Sequence, residues 1–345
     1  ELEVVGEVRT QLNKTECPGW INHEEREKTG IQERPEKILQ CNVLMKGPCD
    51  LSHSQMYIKS AGVFDTEFTY VSNAEGQTID AYNHSVHIEG LHAYEEEEKR
   101  QIVEDCIFVD PSMLSGGFFT KGYDVIFLST LIESNYYVYK KKGTDIRVVF
   151  GVKDLTNPEN WPGYCDGTFY TGGNQFTMDY LKRFSEKYEC VGKTTPERYI
   201  EFLNHCLQWL PEKSHLCLIL GATKLYEGNE KVRLSHKRLN DAVKSFSVDH
   251  QRIRYIELDD CIHDRSDFSD SINHFSTRVY YELAQKMIEV IQEVTGERLE
   301  SYSSSMARFD DVVLKVRGGL KRIISPDGKA YKMFKKVYNK IYKER

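Results

Sequence analysis

A cysteine at the end of an apolar run and a histidine behind a cluster of aspartates are the two places in this sequence suited to covalent chemistry. The first is Gly47-Pro48-Cys49, which follows the run from Ile38 to Met45 and precedes a stretch of helical potential, Ser52 to Ala61. A thiol where a strand hands over to a helix meets helix-terminal N–H groups that favour its thiolate and can hold an oxyanion. Cys49 is therefore a candidate nucleophile, with Gly47 lining the same turn. Ser52 and Ser54 are alternative hydroxyl nucleophiles, although a hydroxyl at a helix start is more often a cap. The second place is Asn273-His274, between the strand-like run Ile253 to Leu258 and the amphipathic stretch Val279 to Val294. Neither a thiol nor a hydroxyl is efficiently deprotonated unaided, so His274 is the candidate base. Asp264, Asp267 and Asp270 share its loop, and a carboxylate there would fix the imidazole tautomer. The bland alternatives are a helix cap built from Asn273, His274 and Ser276, and a solvated acidic loop.

Other polar residues fall where strands should end. Ser129 and Thr130 close the apolar run 124–129 and can contribute a hydroxyl or N–H to an oxyanion hole; a polar strand terminus is the plain reading. Glu227 and Asn229 follow the run 216–220 and can bind a sugar hydroxyl, or simply form a turn around Gly228. Trp161, Tyr164, Phe169 and Tyr170 offer either a sugar platform or core packing. His53, His84 and His87 lie in polar stretches and carry no special expectation.

These residues need a scaffold, and the apolar patterning supplies one. The runs 38–45, 124–129, 216–220 and 253–258 read as buried strands, with shorter strands at 68–71 and 86–88. Helical patterns lie between them: acidic at 94–106, then 195–210, 237–246 and 279–294. Strands alternating with helices predict a three-layer α/β/α fold around a central, mostly parallel sheet, with ligands at the carboxyl ends of the strands. Residues 1–36 form a polar lead-in and 37–300 the α/β domain, interrupted by an insertion or lid at 143–194 rich in Gly, Pro and aromatics. Residues 301–345 form a basic tail with Tyr331, Phe334, Tyr338 and Ile341 at helical spacing opposite lysines. Such a helix can lie on an anionic membrane surface or against a neighbouring domain.

Composition narrows the classes. Of 345 residues 40% are hydrophobic and 29% charged, ordinary for a globular protein, and no apolar run is long enough to span a bilayer. Nine cysteines without a CxxC pair or a Cys/His cluster at zinc-like spacing argue for reduced, cytoplasmic thiols and no metal site. The net charge of −7 divides unevenly: residues 306–345 hold 12 Lys+Arg against 4 Asp+Glu, leaving 34 against 49 in the rest. That acidic body disfavours nucleic acid as a partner. No Walker A or GxGxxG motif is present. The chain opens on Glu1, which reads as a piece of a longer protein.

In order of elements, residues 37–295 resemble the SGNH/GDSL hydrolase superfamily. Gly47-Pro48-Cys49 stands where that family has Gly-Asp-Ser, Ser129-Thr130-Leu131-Ile132 where it has Gly-x-Asn-Asp, and Asp270 four positions before His274 where it has Asp-x-x-His. Leu220-Gly221-Ala222-Thr223, Tyr226-Glu227-Gly228-Asn229 and Ile272-Asn273-His274-Phe275 are similar to the branch found with bacterial capsule and lipopolysaccharide synthesis enzymes. The resemblance implies a carbohydrate O-acyltransferase or esterase, acetyl being the expected group, at the cytoplasmic side of the inner membrane. Cys49 would be its nucleophile, His274 its base and Asp270 its orienting acid, with Asp267 as the alternative. It implies a glycan substrate and no bound cofactor, with acyl-CoA as co-substrate. The rival reading is a transferase or glycan-binding domain of a multi-domain polysaccharide-synthesising protein, without acyl chemistry.

Overall fold

The computed structural model describes residues 41–59, 63–68, 70–72, 78–80, 84–224, 230–269 and 271–303. In chain order the elements begin with β1 (Val43–Gly47), α1 (Cys49–Gln55), β2 (Ile58–Lys59), β3 (Phe64–Phe68), β4 (Tyr70–Ser72) and β5 (Thr78–Asp80). Next come α2 (Ser85–Ala93), α3 (Glu96–Asp105), β6 (Val125–Ser129), β7 (Tyr137–Lys141), β8 (Arg147–Phe150), α4 (Trp161–Cys165) and α5 (Met178–Lys187). The remainder are β9 (Tyr188–Lys193), α6 (Pro196–Trp209), β10 (His215–Leu220), α7 (Glu230–Val248), β11 (Ile253–Glu257), α8 (Thr277–Thr295) and β12 (Glu300–Ser301). The basic tail expected at 301–345 lies almost entirely outside the described residues, as do the lead-in and Glu227, Asn229 and Asp270.

Five strands form the central sheet in the order β11-β10-β6-β1-β3, and every neighbouring pair is parallel. The chain runs from β1 out to the edge at β3, then crosses back to β6 and continues outward. Strand order therefore reverses between β1 and β6, the switch point at whose carboxyl ends open α/β sheets bind ligands.

Alternation along each strand builds two cores. Val43, Met45, Val125, Phe127, Cys217, Ile219 and Ile256 face one side and pack with Leu51 of α1 and Val279, Leu283 and Met287 of α8. Leu44, Ile126, Leu128, Leu216, Leu218 and Leu220 face the other, against Tyr199, Phe202 and Leu203 of α6 and Leu239 and Val243 of α7. Successive side chains leave a strand on opposite faces, so runs apolar at every position require cover on both sides. The result is a three-layer α/β/α sandwich. Helix ends follow from local chemistry: Thr195 accepts from Arg198 N and Pro196 occupies the first turn of α6, while Gly296, at φ +76°, ends α8.

The structure departs from expectation in three places. Val86–Ile88 is helical, because the His84 side chain accepts a hydrogen bond from Val86 N and caps α2. Helix α1 starts at Cys49 with Pro48 at its cap position, so Ser52 sits inside the helix and does not cap it. The insertion expected at 143–194 begins earlier, at Tyr137: β7 pairs antiparallel with β8 and β9. Its aromatic residues pack rather than display. Tyr164 is buried, with rings of Phe169 and Phe176 each 5.3 Å away, and Tyr164 Oη donates to Lys153 O at 2.6 Å. Of the proposed sugar platform, Tyr170 alone is strongly exposed.

On the α2–α6 side, the Trp209 ring stacks between the imidazoles of His92 and His205, with centroids at 4.3 and 5.0 Å. Glu89 holds His205 Nδ1 at 2.6 Å and pairs with Arg198.

Candidate functional site

The carboxyl ends of β1 and β6 meet at Gly47 and Ser129. A Cβ on Gly47 would lie 2.6 Å from Leu51 Cδ1 and 3.4 Å from Ser129 Cβ, so any larger residue there has to displace the Leu51 side chain that packs α1 against the end of its own strand. Cys49, the first residue of α1, is partly exposed. Four residues on, His53 lies on the same helix face and is exposed. Its ring contacts the Tyr280 ring of α8 at 4.8 Å between centroids. Protein crowding around the imidazole, and next the charge of His274, push the His53 pKa below its ordinary value.

His274 belongs to a short hairpin in which Phe268 and Phe275 bridge antiparallel. Its carbonyl accepts from Ser269 N at 3.0 Å and its N–H donates to Ser271 O at 3.3 Å, and the residue is exposed. Tyr280 ties this hairpin to α1: its hydroxyl accepts from Phe275 N at 3.1 Å while its ring touches His53. Tyr280 thus links α1, at His53, to the hairpin that carries His274. Asn273 is partly buried, with its N–H on Ser271 Oγ at 3.2 Å and its side-chain oxygen without a hydrogen-bond partner among the described residues.

Asp267 does different work. Its carboxylate accepts from His263 N at 2.7 Å, Asp264 N at 3.1 Å and Ser276 Oγ at 3.1 Å, and it pairs with Arg278. His274 is not among these donors. Burial pushes the Asp267 pKa up, but Arg278 and the two backbone N–H groups outweigh it and hold the carboxyl below its ordinary range. Asp267 is the anion around which the hairpin folds.

Thr130 and Ser129 also serve structure. Thr130 Oγ1 donates to Ile219 O and accepts from Gly221 N, both at 3.2 Å, stitching the end of β6 to that of β10. Fully buried, it presents no hydroxyl to a ligand. Ser129 Oγ accepts from Leu131 N at 3.3 Å. Above them, the buried His236 ring lies between Ala222 O at 3.0 Å and Leu131 O at 3.3 Å, and a Cβ on Gly221 would sit 2.6 Å from that ring. Asp259, after β11, accepts from Thr223 N at 2.8 Å and Lys224 N at 3.2 Å and shapes the loop after β10.

The feature missed in the sequence is Asp50. It and Ser54 lie on the inward face of α1, both fully buried, and neither carboxyl oxygen of Asp50 nor Ser54 Oγ has a hydrogen-bond partner among the described residues. Burial pushes the Asp50 pKa up to about 6, while the nearby Ser129 hydroxyl and Leu51 backbone pull the other way. The available signal was an i, i+4 pair of polar residues flanking Leu51 on a helix that has to bury that leucine.

A carboxyl whose pKa is raised on folding binds more protons folded than unfolded, so its contribution to stability falls as pH rises from about 4 to about 6. Asp50→Asn removes that loss. The variant is expected to be more stable than wild type at pH 8 by about 2 kcal/mol, within the ~3 kcal/mol that the full shift allows. Urea unfolding at pH 4 and pH 8 checks it: a gain at pH 8 that vanishes at pH 4 is expected, and an equal loss at both refutes it.

No protein-family model matches this sequence, and no curated protein matches it either.

The chemistry open to this edge of the sheet follows from its own groups. One partly exposed thiol and two exposed imidazoles stand above a buried, weakly acidic carboxyl. Among the described residues no three His, Cys, Asp or Glu side chains are placed to hold a metal ion, and no helix is long and apolar enough to cross a membrane.

Proposed function

We propose that this protein moves an acyl group on or off a carbohydrate hydroxyl, with Cys49 as nucleophile and His274 as base. The observation that carries this reading is the tie through Tyr280, which links α1, one helical turn beyond Cys49, to the hairpin bearing His274. The resemblance of the turn at 47–49 and of the 272–275 block to the polysaccharide-synthesis branch of the SGNH hydrolases supports it, as does the position of Cys49 after β1 at the switch point between β1 and β6.

In this mechanism His274 takes the thiol proton and the Cys49 sulfur attacks the acyl carbonyl. The bond to the donor's leaving group breaks, and an acyl-Cys49 thioester remains. A sugar hydroxyl then attacks the thioester, its proton passes to an imidazole, and the thiolate departs and is reprotonated. Water in place of the sugar gives hydrolysis. Asp270 would orient His274. With a thioester donor, acetyl-CoA is the co-substrate; bacterial capsule or lipopolysaccharide glycan is the acceptor class.

The test is direct. Incubation with acetyl-CoA, with and without an oligosaccharide acceptor, is followed by free thiol release and by mass spectrometry of the peptide containing Cys49. An acetyl adduct on Cys49 that acceptor or hydrolysis discharges is expected. The absence of both thiol release and hydrolysis of a simple acetyl ester overturns the proposal.

A further inference from the structure

His53 was unremarkable in the sequence, yet it stands between α1 and the hairpin that carries His274. It lies one helical turn beyond Cys49 on the same exposed face, its ring rests on Tyr280, and the Tyr280 hydroxyl holds the backbone of the residue next to His274. Helices α1 and α8 pack directly, so this arrangement belongs to the core of the fold.

We infer that His53 is a second acid–base group of this site, coupled to His274 so that the two imidazoles together carry one proton during acyl transfer. The inference rests on the acyl-transfer reading. His274 receives the Cys49 proton as the thioester forms and passes it to the departing donor thiolate. When the acceptor hydroxyl attacks, its O–H proton goes to His53, the new C–O bond forms, and the C–S bond breaks. His53 then returns that proton to the Cys49 sulfur. The two imidazoles never hold more than one proton between them, because two adjacent imidazolium ions repel.

Among the described residues, the surroundings leave His274 as the principal charged partner of His53. Asp65 of β3 is bound to Lys121 and Tyr123, and on α8 Arg278 pairs with Asp267, Glu282 with His263 and Lys286 with Asp260. Strand β1 contributes the buried Lys46, β6 contributes no titratable side chain, and the helix itself adds Cys49 and the buried Asp50. Tyr280 and Tyr281 are the remaining titratable groups of α8 near its start.

Proton NMR titration of the imidazole C2–H resonances in the full chain tests the coupling. His274→Gln should raise the His53 pKa toward its ordinary value. A His53 titration unmoved by that substitution overturns the pair. Rapid-quench mass spectrometry of Cys49 then tests the role. His53→Gln is expected to slow discharge of acyl-Cys49 to the acceptor about a hundredfold more than it slows acylation, and discharge at the wild-type rate overturns the relay. Wild-type protein that never acylates Cys49 overturns the acyl-transfer reading itself and the relay with it, an outcome distinct from a site that acylates but shows uncoupled histidines.

Discussion

Replacing Cys49 with alanine is expected to reduce acyl turnover at least about a thousandfold, and His274→Ala is expected to do nearly the same. The double variant should lose little beyond the worse single one. A nucleophile and its base act as one unit: once the thiol is gone, an imidazole has no proton to take, and the effects cease to add. Stability does not confound the comparison. Cys49 is partly exposed and His274 exposed, so truncation at either should change folding by no more than about 0.5 kcal/mol. Steady-state rates for the four proteins, with urea unfolding alongside, make the cycle. Strict multiplication of the two losses, or activity that survives both substitutions, would show that the residues do not work together.

The second large effect is expected far from this face, at Glu133. Its carboxyl is fully buried and accepts from Ser85 N and Ser85 Oγ, both at 2.8 Å, while His84 Nε2 lies 3.3 Å away. The His84 ring is fixed by its other contacts. Nδ1 accepts from Val86 N at 3.2 Å, so the proton of the neutral ring sits on Nε2 and is donated to Glu133 O at 2.9 Å. Burial pushes Glu133 up to about 8 and His84 down to about 4, so near neutral pH the pair is largely uncharged. The two groups act on stability in opposite directions. Glu133 stabilises fully below about 4.5 and loses that contribution as pH rises toward 8, whereas His84 stabilises fully above about 6.5 and loses it as pH falls toward 4. Glu133→Gln removes only the alkaline limb. Its amide oxygen can take Ser85 N and its amide N–H can reach Ser85 Oγ, so the hydrogen bonds survive. The variant is expected to gain about 2–4 kcal/mol over wild type at pH 8, below the ~5 kcal/mol set by the full shift, and to match it near pH 4.5. A loss of stability at pH 8 would mean that the native pair is ionised.

Which parts of this molecule were legible in its sequence follows from what buries them. Strands β1, β6 and β10 lie inside the sheet under two helical layers, and burial on both faces demands nearly unbroken apolar runs. Strand β3 reads Phe-Asp-Thr-Glu-Phe and lies at the sheet edge, where such a run is not needed, and it was missed. Val86-His87-Ile88 is too short for periodicity to separate helix from strand, and the deciding contact is a side-chain cap from His84. At the site, Cys49 and His274 were visible because a strand-to-helix turn and a pre-helix loop are local patterns. Asp50 and His53 were not, since their properties come from Ser129 and Tyr280, residues distant in the chain. Likewise nothing local reveals that the Thr130 hydroxyl is taken up by Ile219 and Gly221.

The indole of Trp209, held between His92 and His205 on the helical layer opposite α1 and α8, gives the molecule a built-in optical gauge. Its emission depends on the rings stacked against it, so the fluorescence of Trp209 follows loss of the α2–α6 packing, while substitutions at Cys49, His53 or His274 lie outside its stack. Folding and chemistry can be monitored in the same cuvette without one signal masking the other.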